Sequence, residues 1–237
     1  MKKPHHAKEI LDAFERHWGN EGRPSPELKH EDPLDGLILT LLSQNTNDKN
    51  RDKAFEKLKS YYPKWDMVAE APLEKVVDLI RVAGLGEIKA TRMKQILAVL
   101  KDKFGRHSIS DLQNWKADEA RDFLISLPGV GVKTAACVLV FDLDMPAFPV
   151  DTHVATISRR LGWAPEKMAP DKIQEYLEST LPPERFRGAH LNIIEHGRGI
   201  CSARKPDCKN CYAERWCQFS KSQFSKSLSM IRENVTF

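Results

Sequence analysis

The sequence predicts an all-α protein. Apolar residues recur at helical spacing along most of the chain, proline and glycine punctuate the repeats, and no convincing alternating strand pattern appears. Asp32-Pro33 reads as an N-cap followed by a first-turn proline, opening an apolar helix over Leu34–Leu42. Ala54, Phe55, Leu58, Tyr61 and Tyr62 mark a second helix that Pro63 stops. Met93, Ile96, Leu97, Leu100 and Phe104 mark another, which ends at Gly105. Helical stretches at Ala117–Ser126 and Val132–Phe141 flank the turn Leu127-Pro-Gly-Val-Gly131. The one strand candidate, Val138–Phe141, reads better as the end of the second of these, a buried helix. Ile173, Tyr176, Leu177 and Leu181 give a further helix between Pro170 and Pro182-Pro183. No internal repeat is visible. The Ser- and Lys-rich residues 220–237 are expected to form a mobile tail.

With 237 residues, 41% hydrophobic and 30% charged, the chain can bury a substantial core in one or two domains. No run approaches the ~20 apolar residues of a membrane span, so no membrane partner is expected. Met1-Lys-Lys-Pro-His-His6 leads into a polar helix without an apolar signal region, and a cytoplasmic protein is expected. In that compartment clustered cysteines hold metal more often than they pair. Net charge is only +4, but its distribution is uneven: from Leu181 onward ten Lys and Arg face five Asp and Glu. The excess positive charge thus surrounds the cysteines and suits a phosphate-bearing partner.

Two constellations carry chemistry. In the first, Gly129 and Gly131, on either side of Val130, permit backbone conformations closed to other residues and leave no side chain to block close approach, and the following helix starts at the mouth of this turn. Backbone N–H groups there suit one DNA phosphate, a contact that positions without reading sequence. Lys133 lies in that helix's first turn, where a cation opposes the dipole by ~0.3–1 kcal/mol, an unfavourable place that marks it as a candidate nucleophile. Asp151, in Val150-Asp-Thr-His153, reads as an N-cap for the helix through Leu161 and as a carboxylate able to stabilise a sugar cation. In the second, Cys201, Cys208, Cys211 and Cys217 stand in the spacing C-x6-C-x2-C-x5-C. Four cysteines within seventeen residues, threaded by Arg204, Lys205 and Lys209, read as one metal centre pinning a basic loop. Zinc and an iron–sulfur cluster both take four thiolates, although the spacing departs from the paired C-x2-C knuckles usual for zinc.

Leu127–Lys133 with Thr134-Ala135, then Val150–His153, then the cysteine spacing, resemble in kind and order the endonuclease III family of helix-hairpin-helix DNA glycosylases. The resemblance covers roughly residues 30–218. It implies a two-lobed all-helical fold: a six-helix barrel domain over 31–145, and an iron–sulfur domain built from 1–30 and 146–219, with DNA lying across the cleft. It implies a 4Fe–4S cluster held by Cys201, Cys208, Cys211 and Cys217, with Lys133 as nucleophile and Asp151 as catalytic aspartate. It further implies a monomeric repair enzyme, acting near the nucleoid of a prokaryote, that binds double-stranded DNA carrying a damaged base or an abasic site. Base removal, with oxidised pyrimidines as the expected lesions, would be followed by β-elimination. Leu42–Asp48 resembles the family's wedge region, so Gln44 or Asn45 is expected to contact the stack the lesion vacates. Where oxidised-pyrimidine enzymes carry Gln, this chain has Asn45, and Gln44-Asn-Thr46 looks closer to adenine-removing relatives.

Arg198, in Glu195-His-Gly-Arg198, is expected to meet a phosphate, with Gly197 as a helix C-cap. Gly84-Leu-Gly86 resembles a second turn facing the strand opposite the lesion. Cys137, Trp65, Trp115 and Trp163 are expected to pack in the interior, and His5 and His6 to lie in solvent. Two other functions remain compatible with the scaffold: a monofunctional uracil or mismatch glycosylase, and a DNA-binding iron–sulfur protein without catalysis. Lys133 speaks against the first, and Lys133 together with Asp151 against the second.

Overall fold

The structure, a computed structural model, describes residues 4–21 and 30–222; within these every regular element is helical. None of the described helices is long and apolar enough to cross a membrane. The chain divides into two compact units, Met1–Arg23 with Ala147–Phe237, and Pro24–Pro146.

Among its described residues the unit Pro24–Pro146 holds α2 (Pro33–Leu42), α3 (Asp48–Tyr61), α4 (Trp65–Glu70), α5 (Leu73–Ile80), α6 (Gly86–Phe104), α7 (Ala117–Ser126) and α8 (Val132–Phe141). Of these α4 is a short, six-residue helix between α3 and α5, beside the longer helices of the expected six-helix barrel. At the start of α2, Asp32 caps as the sequence predicts, its carboxylate accepting from the Leu34 N–H at 2.9 Å. The centre of the unit is α8, whose residues Thr134 through Val140 are all buried. A helix apolar on every side can only be a core helix, and α2 packs against it with Leu34, Leu37, Ile38, Leu41 and Leu42 fully buried. Around this pair, α3 packs on α2 and α5, and α6 on α5 and α4. The expected face of α3 is only partly interior: Ala54 and Leu58 are buried, while Tyr61 is 53% exposed with the Lys75 ammonium 4.5 Å from its ring centre. Trp65 is buried, its indole N–H donating to Asp35 at 2.8 Å, and Trp115 packs against Phe104 and Phe123.

One polar device of this core has no local signature. Asp142, just past α8, is buried and its carboxylate accepts from the His30 ring at 2.7 Å. Gly36 on α2 makes room for it, since a Cβ there would lie 2.0 Å from Asp142 Oδ2. The Asp142 hydrogen bond raises the His30 pKa above its ordinary 6.5, with burial opposing; Asp35 adds to the rise and Arg51 subtracts from it. A raised folded-state pKa means the pair stabilises fully below the unfolded value and loses that contribution as pH climbs through the folded value. Urea unfolding from about pH 6 to about pH 8.5 should therefore show a fall in stability that His30→Gln lacks. Parallel pH profiles for the two proteins would remove the pair from the stability account.

The other unit is built from α1 (Ala7–Trp18), α9 (Thr152–Leu161), α10 (Pro170–Thr180) and α11 (Phe186–Gly199), followed by the cysteine loop. α11 is its central helix, packed on α1 and α9, while α10 packs on α9. Arg185 ties α1 into this unit by ion pairs to Asp12 and Glu21, both at 2.8 Å, and Trp163 donates to the His5 carbonyl at 3.0 Å. His5 and His6 are exposed. Of the expected tail, residues 223–237 lie outside the described residues. Residues 220–222 are helical instead, with Ser220 buried.

Candidate DNA-binding and catalytic site

Both helices around the hairpin fall where the sequence predicts. Within the turn, Gly129 has φ +78°, and a Cβ there would lie 2.4 Å from Arg92 Cδ, so the position needs glycine on both counts. Gly131 does not share that conformation: its φ is −95°, which any residue adopts, and nothing lies within 4 Å of a Cβ. The expectation of a glycine-only backbone is therefore corrected at Gly131. What glycine contributes there is an N-cap without a side chain, which leaves the first-turn N–H groups of α8 uncovered. Val130 also differs from an open contact. Its side chain is 5% exposed and its N–H donates to the Leu127 carbonyl at 3.1 Å, so it braces the hairpin from within.

The segment between α2 and α3 meets this hairpin. Gln44 Nε2 donates to the Gly129 carbonyl at 3.0 Å, and its amide oxygen accepts from Arg92 at 3.4 Å. Gln44 is thus committed to the turn. Asn45 is exposed and has φ +54°, a left-handed conformation that Asn tolerates better than Gln through local hydrogen bonding. Of the two wedge candidates, Asn45 is the one whose side chain is available. Asn47 caps α3 by accepting from the Asn50 N–H.

Lys133 is half-buried in the first turn of α8, and among the described residues its ammonium has no hydrogen-bond or ion-pair partner. Asp151, on the other unit, caps α9 by accepting from the Val154 N–H at 2.8 Å, which leaves a second carboxylate oxygen. Gly197 is not a C-cap. It lies inside α11, where a Cβ would be 2.5 Å from His153 Nδ1, so its role is to let the His153 ring lie against the helix. Arg198, Arg204, Lys205 and Lys209 are all exposed. Cys137 is buried in the core, as expected.

The four cysteines line one small, partly open pocket together with Arg160, Ile200, Pro206, Asp207, Phe219 and Ser220. Sulfur atoms there are aimed at by donors. Arg160 donates to Cys201 Sγ at 3.2 Å, the Ala213 N–H reaches Cys211, and the Phe219 and Ser220 N–H groups reach Cys217. His196, 1% exposed and stacked 4.2 Å from Phe14, places Nε2 3.4 Å from Cys211 Sγ. Burial raises the thiol pKa values of Cys208 and Cys217 and pushes Cys211 up to about 12, whereas it lowers His196 to about 4. Cys217 also donates to the Arg160 carbonyl at 3.3 Å, and partly buried thiols faced by donors at Cys201, Cys211 and Cys217 suit thiolates bound to metal. Among the described residues no three His, Cys, Asp or Glu side chains converge as ligands of a single ion would. Sequence reasoning missed Arg92, Arg160 and His196, because their contacts span 48, 41 and 15 residues and leave no local pattern.

Residues 38–183 match the HhH-GPD superfamily of base excision DNA repair proteins, a stretch that ends before the first clustered cysteine. The chain is 38% identical over 188 residues to a putative DNA glycosylase of Arabidopsis thaliana, covering 79% of this chain and 62% of that protein. It is 36% identical over 213 residues to endonuclease III of Thermotoga maritima, covering 90% of this chain and 91% of the relative. Among solved structures, a trapped endonuclease III–DNA covalent intermediate superposes with a TM-score of 0.79 at 29% identity, covering 94% of this chain and all of that one. The fold, the hairpin with its lysine and these likenesses together place the chain in the endonuclease III family of HhH-GPD base excision repair proteins, the DNA glycosylases.

Proposed function

We propose that this chain removes a damaged base from double-stranded DNA and then cuts the strand at the resulting abasic site, acting as a monomer through a Schiff base on Lys133. The observation that carries the reading is Lys133 itself: an amine with no partner among the described residues, at the uncovered mouth of α8 beside the hairpin. The likeness to a protein trapped covalently on DNA supports the same chemistry.

First-turn amides of α8 bind one phosphate, and Arg198, Arg204, Lys205 and Lys209 hold others. The nucleotide turns out of the duplex and Asn45 contacts the vacated stack. The neutral Lys133 amine attacks C1′ of the deoxyribose. The N-glycosidic bond breaks, the base leaves with the bonding electron pair and takes up a proton, and Asp151 stabilises positive charge on the sugar. Opening of the sugar ring gives the iminium. Loss of a C2′ proton then expels the 3′ phosphate oxygen and breaks the strand. Oxidised pyrimidines are the proposed lesions.

The donor set fits a 4Fe–4S cluster on Cys201, Cys208, Cys211 and Cys217: four thiols line one pocket without converging on a single point, and donors face the sulfurs of Cys201, Cys211 and Cys217. Bound there, the cluster supplies stiffness to the basic loop rather than bond-breaking chemistry. Purified protein should be brown, with iron and acid-labile sulfide in equal amounts, and Cys208→Ser should lose the colour and expose residues 201–217 to protease. Colourless protein carrying stoichiometric zinc would replace the cluster assignment and leave the catalytic reading intact.

One assay decides the activity. Protein is mixed with a duplex bearing a single abasic site, then with duplexes carrying thymine glycol, uracil or a guanine mismatch. Strand cutting at the abasic site supports the bifunctional reading. Base release without cutting would make the enzyme monofunctional, and binding alone would remove catalysis.

A further inference from the structure

Lysine is almost never fully buried without a counter-charge, yet Lys89 is 1% exposed and among the described residues has no carboxylate partner. Its ammonium donates instead to two backbone carbonyls, Leu42 O at 2.7 Å and Ala83 O at 2.8 Å. Burial holds its pKa below the ordinary lysine value. The two carbonyls belong to particular places. Leu42 is the last residue of α2, separated from the Gln44–Asn45 segment only by Ser43. Ala83 ends the short 3₁₀ turn Arg81–Ala83, immediately before Gly84-Leu-Gly86. Carbonyls at helix C-termini lack intrahelical partners and carry the negative end of the dipole, so one cation satisfies two such ends.

Each pinned carbonyl leads into a projecting residue with a left-handed backbone. Asn45 has φ +54° and is exposed; Leu85 has φ +51° and is 50% exposed. A left-handed conformation costs a branched, bulky residue such as Leu85 energy that the surrounding structure must supply. A large apolar side chain held out into solvent on such a backbone has no folding benefit to set against that cost. The strain is therefore best explained by what the two tips touch when duplex DNA is bound.

We infer that Lys89 is a positioning residue: it fastens the Asn45 segment and the Leu85 turn to one point, so that both tips enter the duplex as a unit when the nucleotide is turned out. This rests on the proposed glycosylase reading, and it assigns the fixed spacing between the two tips to one buried ammonium. Removing that ammonium would leave each loop folded but free to shift against the other, and displacements near 1 Å cost catalysis about 100-fold.

Two variants and two substrates test it. Lys89→Met removes the donors while keeping an unbranched chain. Lys89→Arg keeps charge and donors on a wider head, and gives a reading even where the methionine variant does not fold. Single-turnover base excision is measured on an intact duplex, and on the same duplex with a one-nucleotide gap opposite the lesion, where the opposite-strand tip has nothing to displace. Coupled tips predict a loss of about 100-fold for Lys89→Met on the intact duplex, with an intermediate loss for Lys89→Arg. On the gapped duplex both variants should stay near wild type. A second readout needs binding alone: 2-aminopurine opposite an abasic-site analogue should brighten on binding wild type and brighten less with either variant at saturating protein. Equal losses on the two duplexes, no loss on either, or unchanged 2-aminopurine fluorescence would overturn the inference. Wild-type protein inactive on every duplex would instead remove the glycosylase reading, and the fluorescence measurement would still report on Lys89.

Discussion

Lys133→Ala should abolish both base excision and strand cutting while leaving the fold and the affinity for damaged DNA nearly intact. The substitution removes the group proposed to bond with C1′, and losing a nucleophile costs on the order of 10³-fold or more in rate. Stability should hardly move. Lys133 makes no ion pair or hydrogen bond among the described residues, and as a cation in the first turn of α8 it works against the helix dipole. Alanine, the best helix former, should be neutral there or stabilise by roughly 0.3–1 kcal/mol. Borohydride reduction gives the direct measurement. Wild-type protein should become covalently joined to an oligonucleotide carrying an abasic site, and the alanine variant should not, although both shift the same DNA in a gel. Undiminished trapping in the variant would assign the Schiff base to another amine.

Local patterns made much of this fold legible. Asp32-Pro33 opening α2, Gly105 closing α6 and Pro170 opening α10 are decided by neighbours within a few residues, and so are the helical repeats between them. The cysteine spacing belongs to the same class, since four residues within seventeen share one loop. What stayed hidden depends on which helices pack together. The hydrogen bond from Gln44 to Gly129 spans 85 residues, and the Asp142 carboxylate requires glycine at position 36, 106 positions earlier. Gly129 and Gly131 look alike in sequence, yet only the first needs its glycine, because only there does the turn reverse and Arg92 crowd the backbone. Gly197 misled for the same reason: a glycine near a helix end suggests a cap, and the His153 ring that in fact demands it lies on α9. Lys89 gave no sign of itself at all. A lysine between Ile88 and Ala90 reads as an exposed helix residue until the carbonyls of Leu42 and Ala83 are seen to converge on it.

Asp151→Asn separates two roles that one carboxylate combines. As an N-cap, Asp151 accepts from the Val154 N–H, and asparagine caps about as well, so thermal stability should change by only a few tenths of a kcal/mol. As a fixed negative charge it is proposed to stabilise the sugar cation, and asparagine cannot replace that. Removing one such preorganised electrostatic contact costs about 10²–10³-fold in rate. The loss should fall unevenly across the two reactions. Base departure builds positive charge on the deoxyribose, whereas a pre-formed abasic site offers Lys133 an aldehyde that needs no departing base. Single-turnover excision of a damaged base should therefore drop far more than borohydride trapping on an abasic duplex. Asp151→Ala is the companion variant: it should match the asparagine protein in excision and in addition lose about 1 kcal/mol of stability with the cap. An asparagine variant that excises bases at the wild-type rate would reduce Asp151 to its capping role, leaving charge stabilisation in the reaction to another group.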